Sequence, residues 1–243
     1  MKDMIILLYH DIDSHDKPTQ KKDLATRETV ARFEEFESHM KYLASEGYRV
    51  LSVTQYLDEQ KGGNVRDQDI VLTFDDGHIS NYQFALPVLR KCLFSATFFV
   101  IADNIGKPYY MGEQEIHGLL ACKMEMGSHG LTHSYLTEIR HDEIQREVTE
   151  SKNILEACLG RPVEVFAYPG GHFNQKVLQS VKSAGYRAAV SCIVGRNNRK
   201  TDPFLFKRIE VRRGTSLKAF QNAINELSCL LLIPNEISCV TNN

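Results

Sequence analysis

The sequence predicts a parallel α/β barrel, closed or nearly closed, and three observations carry that expectation. Short apolar runs with the look of buried strands alternate with amphipathic segments at helical spacing, seven or eight times along the chain. No repeat of fixed length accompanies the alternation, which separates it from a solenoid. The polar clusters rich in Asp, His and Gly all follow strands, at the ends where such barrels gather their chemistry. The 243 residues suit one barrel-sized domain, since α/β barrels commonly run to about 200–250 residues and no linker or low-complexity stretch offers a cut.

Met4 to Tyr9 is a short apolar run that delivers His10, Asp11 and Asp13 into a polar loop. From Arg27 to Glu46 apolar residues recur at Val30, Phe33, Phe36, Met40 and Leu43, a three-and-four spacing that predicts an amphipathic helix ended by Gly47. Arg49 to Val53 reads as a second strand, Thr54 as a helix cap and Lys61-Gly62-Gly63 as a stop. Ile70 to Phe74 is a buried strand running into Asp75-Asp76-Gly77, followed by a helix over Ser80 to Cys92 and a strand over Ser95 to Val100. Helix Glu113 to Cys122 leads to strand Lys123 to Gly127, which hands over to Ser128-His129-Gly130-Leu131-Thr132-His133. Helix Asp142 to Leu159 then precedes strand Val163 to Tyr168, which opens into Pro169-Gly170-Gly171. Helix Asn174 to Ala184, strands Arg187 to Val194 and Lys207 to Val211, and helix Leu217 to Leu227 complete the pattern.

With 42% hydrophobic residues the chain can bury a sizeable core, and 29 basic against 31 acidic residues, with no basic block, argue against a nucleic-acid partner. The longest apolar stretches, Met4 to Leu8 and Leu227 to Ile233, fall far short of the roughly 20 residues of a membrane-spanning helix. Lys2 ahead of Ile5-Ile6-Leu7-Leu8 imitates a secretion signal, but the apolar core is short and no small-residue cleavage site precedes His10-Asp11, so a cytoplasmic chain starting at Met1 is expected. Cys92, Cys122, Cys158, Cys192, Cys229 and Cys239 are scattered with no Cys-x-x-Cys pair and read as reduced thiols.

Successive strand side chains point to opposite faces, so Asp75 and Asp76 cannot do the same job: one can bind an ion while the other handles a proton. Alone, Asp-Asp-Gly also reads as a hairpin turn, and His129 and His133 as surface or capping histidines. Together Asp76, His129 and His133 supply one oxygen and two nitrogens, the set of about three protein ligands that a catalytic divalent site uses while leaving a position for water. A bound ion lowers the pKa of water, and Asp75 is then placed to take the proton as that water attacks a carbonyl, which points to amide or ester hydrolysis. His78 and His172 are left out because three ligands already fill the set, and His117 and His141 fall in helices with no special role. Asp11 and Asp13 read equally as substrate contacts or as turn residues.

Thr73-Phe74-Asp75-Asp76-Gly77 together with Ser128-His129-Gly130-Leu131-Thr132-His133 resembles the first two motifs of the polysaccharide deacetylases, metal-dependent enzymes that remove N-acetyl groups from chitin-like glycans, peptidoglycan and poly-N-acetylglucosamine. The resemblance runs over roughly residues 4–225 of what reads as one catalytic domain spanning 1–243. It implies a distorted (β/α) barrel of about seven strands, Asp75 as general base, and Asp76, His129 and His133 around one divalent ion, zinc first, with cobalt, nickel, iron or manganese as alternatives. The third motif departs from the family's Arg-x-Pro-Tyr-Gly: the chain reads Ala167-Tyr168-Pro169-Gly170-Gly171. The arginine that orients the base is therefore absent, and Arg208 is the candidate replacement beside its reading as a surface arginine. Gly170 can still offer the main-chain N–H that helps hold the oxyanion. The chain has no Trp, so stacking on sugars either falls to tyrosines such as Tyr109, Tyr110 or Tyr168 or is weak, with Asp11 a further candidate for substrate contact.

The family's late-strand histidine, the acid that protonates the departing amine, is missing as well. One subgroup, typified by poly-N-acetylglucosamine deacetylases, resembles a circular permutation in which an early strand ending in Tyr-His supplies it, and Leu7-Leu8-Tyr9-His10-Asp11 looks like that segment. His10 is the expected acid, beside a reading as a loop cap. The expected substrate is an N-acetylated glycan or, for a cytoplasmic enzyme, a soluble or lipid-linked sugar precursor. A C–N hydrolase of small cyclic amides, and a carbohydrate-binding barrel with weak or no turnover, are the competing expectations.

Overall fold

The computed structural model describes residues 3–13 and 28–225. In chain order it contains β1 (Ile5–Tyr9), β2 (Ile12–Asp13), β3 (Ala31–Arg32), α1 (Phe33–Ser45), β4 (Arg49–Leu51), α2 (Val53–Gly62), β5 (Asp69–Phe74), α3 (Leu86–Cys92) and β6 (Thr97–Val100). There follow α4 (Glu113–Ala121), β7 (Glu125–Ser128), α5 (His141–Leu159), β8 (Val165–Ala167), α6 (Gln175–Ser183), β9 (Ala188–Val194), β10 (Phe206–Glu210) and α7 (Leu217–Asn225).

Seven parallel strands close into a ring in the order β1, β5, β6, β7, β8, β9, β10. The closing strand is β1: Leu7 faces Leu72 of β5 on one side and Ile209 of β10 on the other. Outside the ring, β4 pairs with the first half of β5, below the point where Thr73 and Phe74 meet β6. Every residue of β1 and β5 is buried, as strands covered on both faces must be, and this is why they read as unbroken apolar runs.

Two hydrophobic clusters divide along the alternation of the strands. Ile5, Leu7, Ile70, Leu72, Phe74, Phe98 and Phe166 pack outward with helix residues such as Phe36, Met40, Ile116, Val148 and Val177. Met4, Ile6, Val71, Phe99, Val165, Ala167, Val190 and Phe206 form the second cluster, which fills the ring. Continuing the same period of two toward the strand ends brings Thr73 and Asp75, His10, and Arg208 to the interior side.

Several boundaries differ from the sequence-based expectation. The helix begins at Phe33, not at Arg27, which lies outside the described residues; Ala31 and Arg32 instead pair with Ile12 and Asp13, and Glu35 reaches back to the Arg32 N–H as a cap. The second strand stops at Leu51, and the cap is Ser52, whose hydroxyl accepts from the Gln55 N–H, displacing Thr54 from that role. The helix expected over Ser80 to Cys92 opens as a π-turn at Asn81–Ala85 before α3. Cys92, Cys122, Cys158 and Cys192 are free thiols, while Leu227, Cys229 and Cys239 lie outside the described residues. No helix among the described residues is long and apolar enough to cross a membrane.

Candidate active site

Asp75 ends β5 on the interior side, its N–H donating to the Tyr9 carbonyl at 2.9 Å so that the strand pairing carries on past Phe74. Its carboxylate is buried and held by both arms of Arg208: Nη1 donates to Oδ1 at 2.8 Å and Nη2 to Oδ2 at 2.7 Å. Arg208 is only 1% exposed, which rules out the surface-arginine reading. Its remaining donors are spent as well, on the Ser191 carbonyl, the Thr73 hydroxyl and the Cys192 sulfur. Burial raises the Asp75 pKa, but Arg208, followed by His129 and His10, more than offsets it and holds the group below the ordinary carboxylate value. Burial pushes the neighbouring Cys192 thiol up to about 11, so it stays protonated beside the pair.

Asp76 follows in the left-handed region (φ 73°) and shares His129 with Asp75, whose Oδ2 lies 3.8 Å from that ring's Nε2. The Asp76 Oδ1 lies 3.6 Å from His129 Nε2 and 3.7 Å from His133 Nε2. His129 donates from Nδ1 to the Ala167 carbonyl at 2.8 Å, which fixes the ring and leaves the Nε2 lone pair facing Asp76. Burial, with His129 nearby, lowers the His133 pKa to about 4, so the His133 ring is neutral and offers a lone pair. All three donor atoms lie within 4.8 Å of one another. Two ligand atoms about 2.0–2.2 Å from a tetrahedral zinc sit about 3.4 Å apart, so the two nitrogens and the oxygen match the span of a divalent ion in both chemistry and spacing.

His10, at the end of β1, holds its ring with Nδ1 3.7 Å from Glu210 Oε1 and contributes to the lowered pKa of both Asp75 and Asp76, so it belongs to the same cluster. The His10 carbonyl accepts from Asn81 Nδ2 at 2.7 Å, which ties the strand end to the π-turn. Gly170 sits in the turn Pro169–Gly171 with φ 62°, where a Cβ would fall 2.6 Å from Tyr135 Cε1. Only glycine lets that ring lie on the loop.

Two expected substrate contacts are overturned. Tyr168 is fully buried: it packs with Phe166 and Phe173 and donates its hydroxyl to the Phe204 carbonyl at 3.1 Å, because it shares the outward parity of Phe166. Asp11 is also buried and fixes a loop, its Oδ1 accepting from the Ile12 N–H and from the Ser80 hydroxyl. Two residues passed over in the sequence have a place here. His78 holds Asp76 Oδ2 at 3.1 Å and stacks on Tyr110, and Tyr135, 45% exposed, lies over Gly170 beside His172. The position of His78 directly after Asp-Asp-Gly was a signal for the first; the second had none.

YxkH of Bacillus subtilis, a polysaccharide deacetylase by name, is 29% identical over 218 residues, covering 88% of this chain and 74% of the relative. A peptidoglycan-N-acetylglucosamine deacetylase of Bacillus cereus is 30% identical over 122 residues, 50% of this chain, and the match spans only 55% of that relative's length. The crystal structure of BC0361, a polysaccharide deacetylase from Bacillus cereus, superposes with a TM-score of 0.80 at 28% identity, covering 92% of this chain and 69% of the other. The polysaccharide deacetylase family model matches residues 62–189, a stretch that includes Asp75, Asp76, His129, His133 and Gly170. By that match, over more than half of its length, the chain belongs to the polysaccharide deacetylase family.

Proposed function

We propose that the protein is a metal-dependent hydrolase that removes acetyl groups from the amino sugars of an N-acetylated glycan. The observation that carries the reading is the division of labour between adjacent carboxylates: Asp75 is locked onto Arg208, while Asp76 meets two histidine Nε2 atoms. The names of the relatives, both of glycan deacetylases, support the substrate class.

Asp76, His129 and His133 would hold the ion, zinc being the first choice for one carboxylate and two imidazoles and cobalt, nickel, iron or manganese the alternatives. When bound, a divalent ion supplies polarisation of the acetyl carbonyl and a lowered pKa for water. Asp75 accepts the proton of the attacking water, and Arg208 keeps that carboxylate ionised and oriented. The Gly170 N–H is the main-chain donor proposed to hold the charge developing on the carbonyl oxygen. His10 gives a proton to the departing amine, which amide cleavage requires because an amine anion is a poor leaving group. Tyr135, exposed over Gly170, offers a face for the sugar ring in a chain without Trp.

Acetate release from N-acetylglucosamine oligomers, with and without chelator, tests this reading. Chelator-sensitive release is expected; turnover of a cyclic amide alone, or glycan binding without release, would favour the two competing readings.

A further inference from the structure

The three residues between His129 and His133 pass through the left-handed region at Gly130 (φ 78°), and His133 itself has φ 68°, a conformation that any residue with a Cβ resists. A loop of this kind stays put only when its surroundings hold it. Its carbonyls are fixed from one side, where the N–H groups of Ala102 and Asp103 donate to Gly130 and Leu131. The Gly130 N–H donates to the Ser128 hydroxyl at 3.3 Å, and the other two N–H groups, those of Leu131 and Thr132, are fixed from the other side by a single carboxylate. Glu147, on α5, is 6% exposed; its Oε2 accepts from the Leu131 N–H at 2.8 Å and the Thr132 N–H at 3.0 Å, and its Oε1 accepts from the Thr132 hydroxyl.

Among the described residues no lysine or arginine forms an ion pair with Glu147, so the compensation for burying this carboxylate comes from the loop. The fit is close: a Cβ on Gly130 would lie 3.2 Å from Glu147 Oε2. The hydrogen bonds of the Glu147 carboxylate go to Leu131 and Thr132, which lie between His129 and His133.

We infer that Glu147 is a positioning residue for the metal site, holding the loop so that both Nε2 atoms converge before an ion arrives. This rests on the reading of Asp76, His129 and His133 as metal ligands. Outer groups that orient ligands typically contribute a factor of 10–100 in metal affinity.

The test is zinc affinity of the full chain, measured by competition with a chromogenic chelator, for wild type, Glu147→Asp and Glu147→Gln. Aspartate keeps the charge but is one methylene too short to span both N–H groups, and its affinity is expected to fall about 10–100-fold. Glutamine can accept both N–H groups on its oxygen and donate to the Thr132 hydroxyl, and is expected to stay within about threefold of wild type. The melting temperature without metal separates a merely structural role: a Glu147→Asp protein that melts lower yet binds zinc as wild type does would overturn the assignment to Glu147 alone. If Glu147→Asp fails to fold, Glu147→Gln decides, since a large loss there at unchanged melting temperature would contradict the hydrogen-bonding account. A wild-type protein that binds no divalent ion would overturn the metal reading itself, and this inference with it.

Discussion

Arg208 and Asp75 are 133 residues apart in the chain and meet in a two-pronged ion pair at 2.7 and 2.8 Å inside the barrel, reaching across β1, which separates β10 from β5. We propose that Arg208, on β10, orients the base in place of the arginine that Ala167-Tyr168-Pro169-Gly170-Gly171 lacks. Arg208→Lys keeps a charge but loses the fork that fits a carboxylate. It should fold and lower kcat by about 10–100-fold with little change in KM, an effect on the reacting groups and not on glycan binding. Steady-state kinetics on N-acetylglucosamine oligomers checks this. A normal kcat would show that the pair is structural.

Asp76→Ala, His129→Ala and His133→Ala should each release the metal and abolish turnover, since no nearby group replaces a lost ligand. Asp75→Asn should keep the metal while turnover falls by about 10²–10⁴. Metal analysis of the purified variants distinguishes the two classes, and stoichiometric metal in two of the three alanine variants would sink the ligand assignment.

His10→Ala should retain fold and metal and lose about 3–5 kcal/mol of transition-state stabilisation on amide substrates, the upper range for a lost general acid. On an activated acetyl ester, whose leaving group needs no proton, the loss should be much smaller. Comparing the two substrates is the check. Equal losses on both would assign His10 a positional role.

Among the core groups, His39 carries the pH dependence of stability that is simplest to isolate. It is buried against Phe220 at 4.1 Å, its Nε2 donates to the Thr215 carbonyl, and Nδ1 accepts from the Tyr9 hydroxyl. Burial lowers its pKa from 6.5 to about 4 despite the carbonyl contacts. The unfolded ring protonates below about pH 6.5 while the folded ring stays neutral, so its contribution is fully present above 6.5 and is lost as pH falls toward 4, by about 3 kcal/mol in all. Urea unfolding at pH 7 and pH 4.5 should show that loss in wild type and a flatter dependence in His39→Gln. An unchanged slope in the variant would place the proton uptake at other groups.

The strands were legible in the sequence because a parallel sheet buried on both faces leaves continuous apolar runs, and strand alternation alone implied different partners for Asp75 and Asp76. The same alternation placed Tyr168 with Phe166, facing the helices, and applying it there would have removed Tyr168 as a sugar platform. Asp11 looked available because loop carboxylates usually are; its partner Ser80 lies 69 residues away, and nothing local announces the contact. Arg208 was identifiable only as one arginine at a strand end, since its pairing depends on how the ring closes. Glu147 looked like any glutamate on an amphipathic helix, and its burial comes from the loop that folds over it. Tyr135 had no signal either, because its place depends on Gly170 having no side chain.

Acetate release from N-acetylglucosamine oligomers by the protein, measured as purified, after stripping with a chelator, and after adding back one equivalent of zinc, tests the central claim most directly. The account predicts release that disappears on stripping and returns with about one ion per chain, with Asp75→Asn slower by about 10²–10⁴ in the metal-loaded states. Release that persists undiminished without metal, or no release with zinc, cobalt, nickel, iron or manganese, would contradict it.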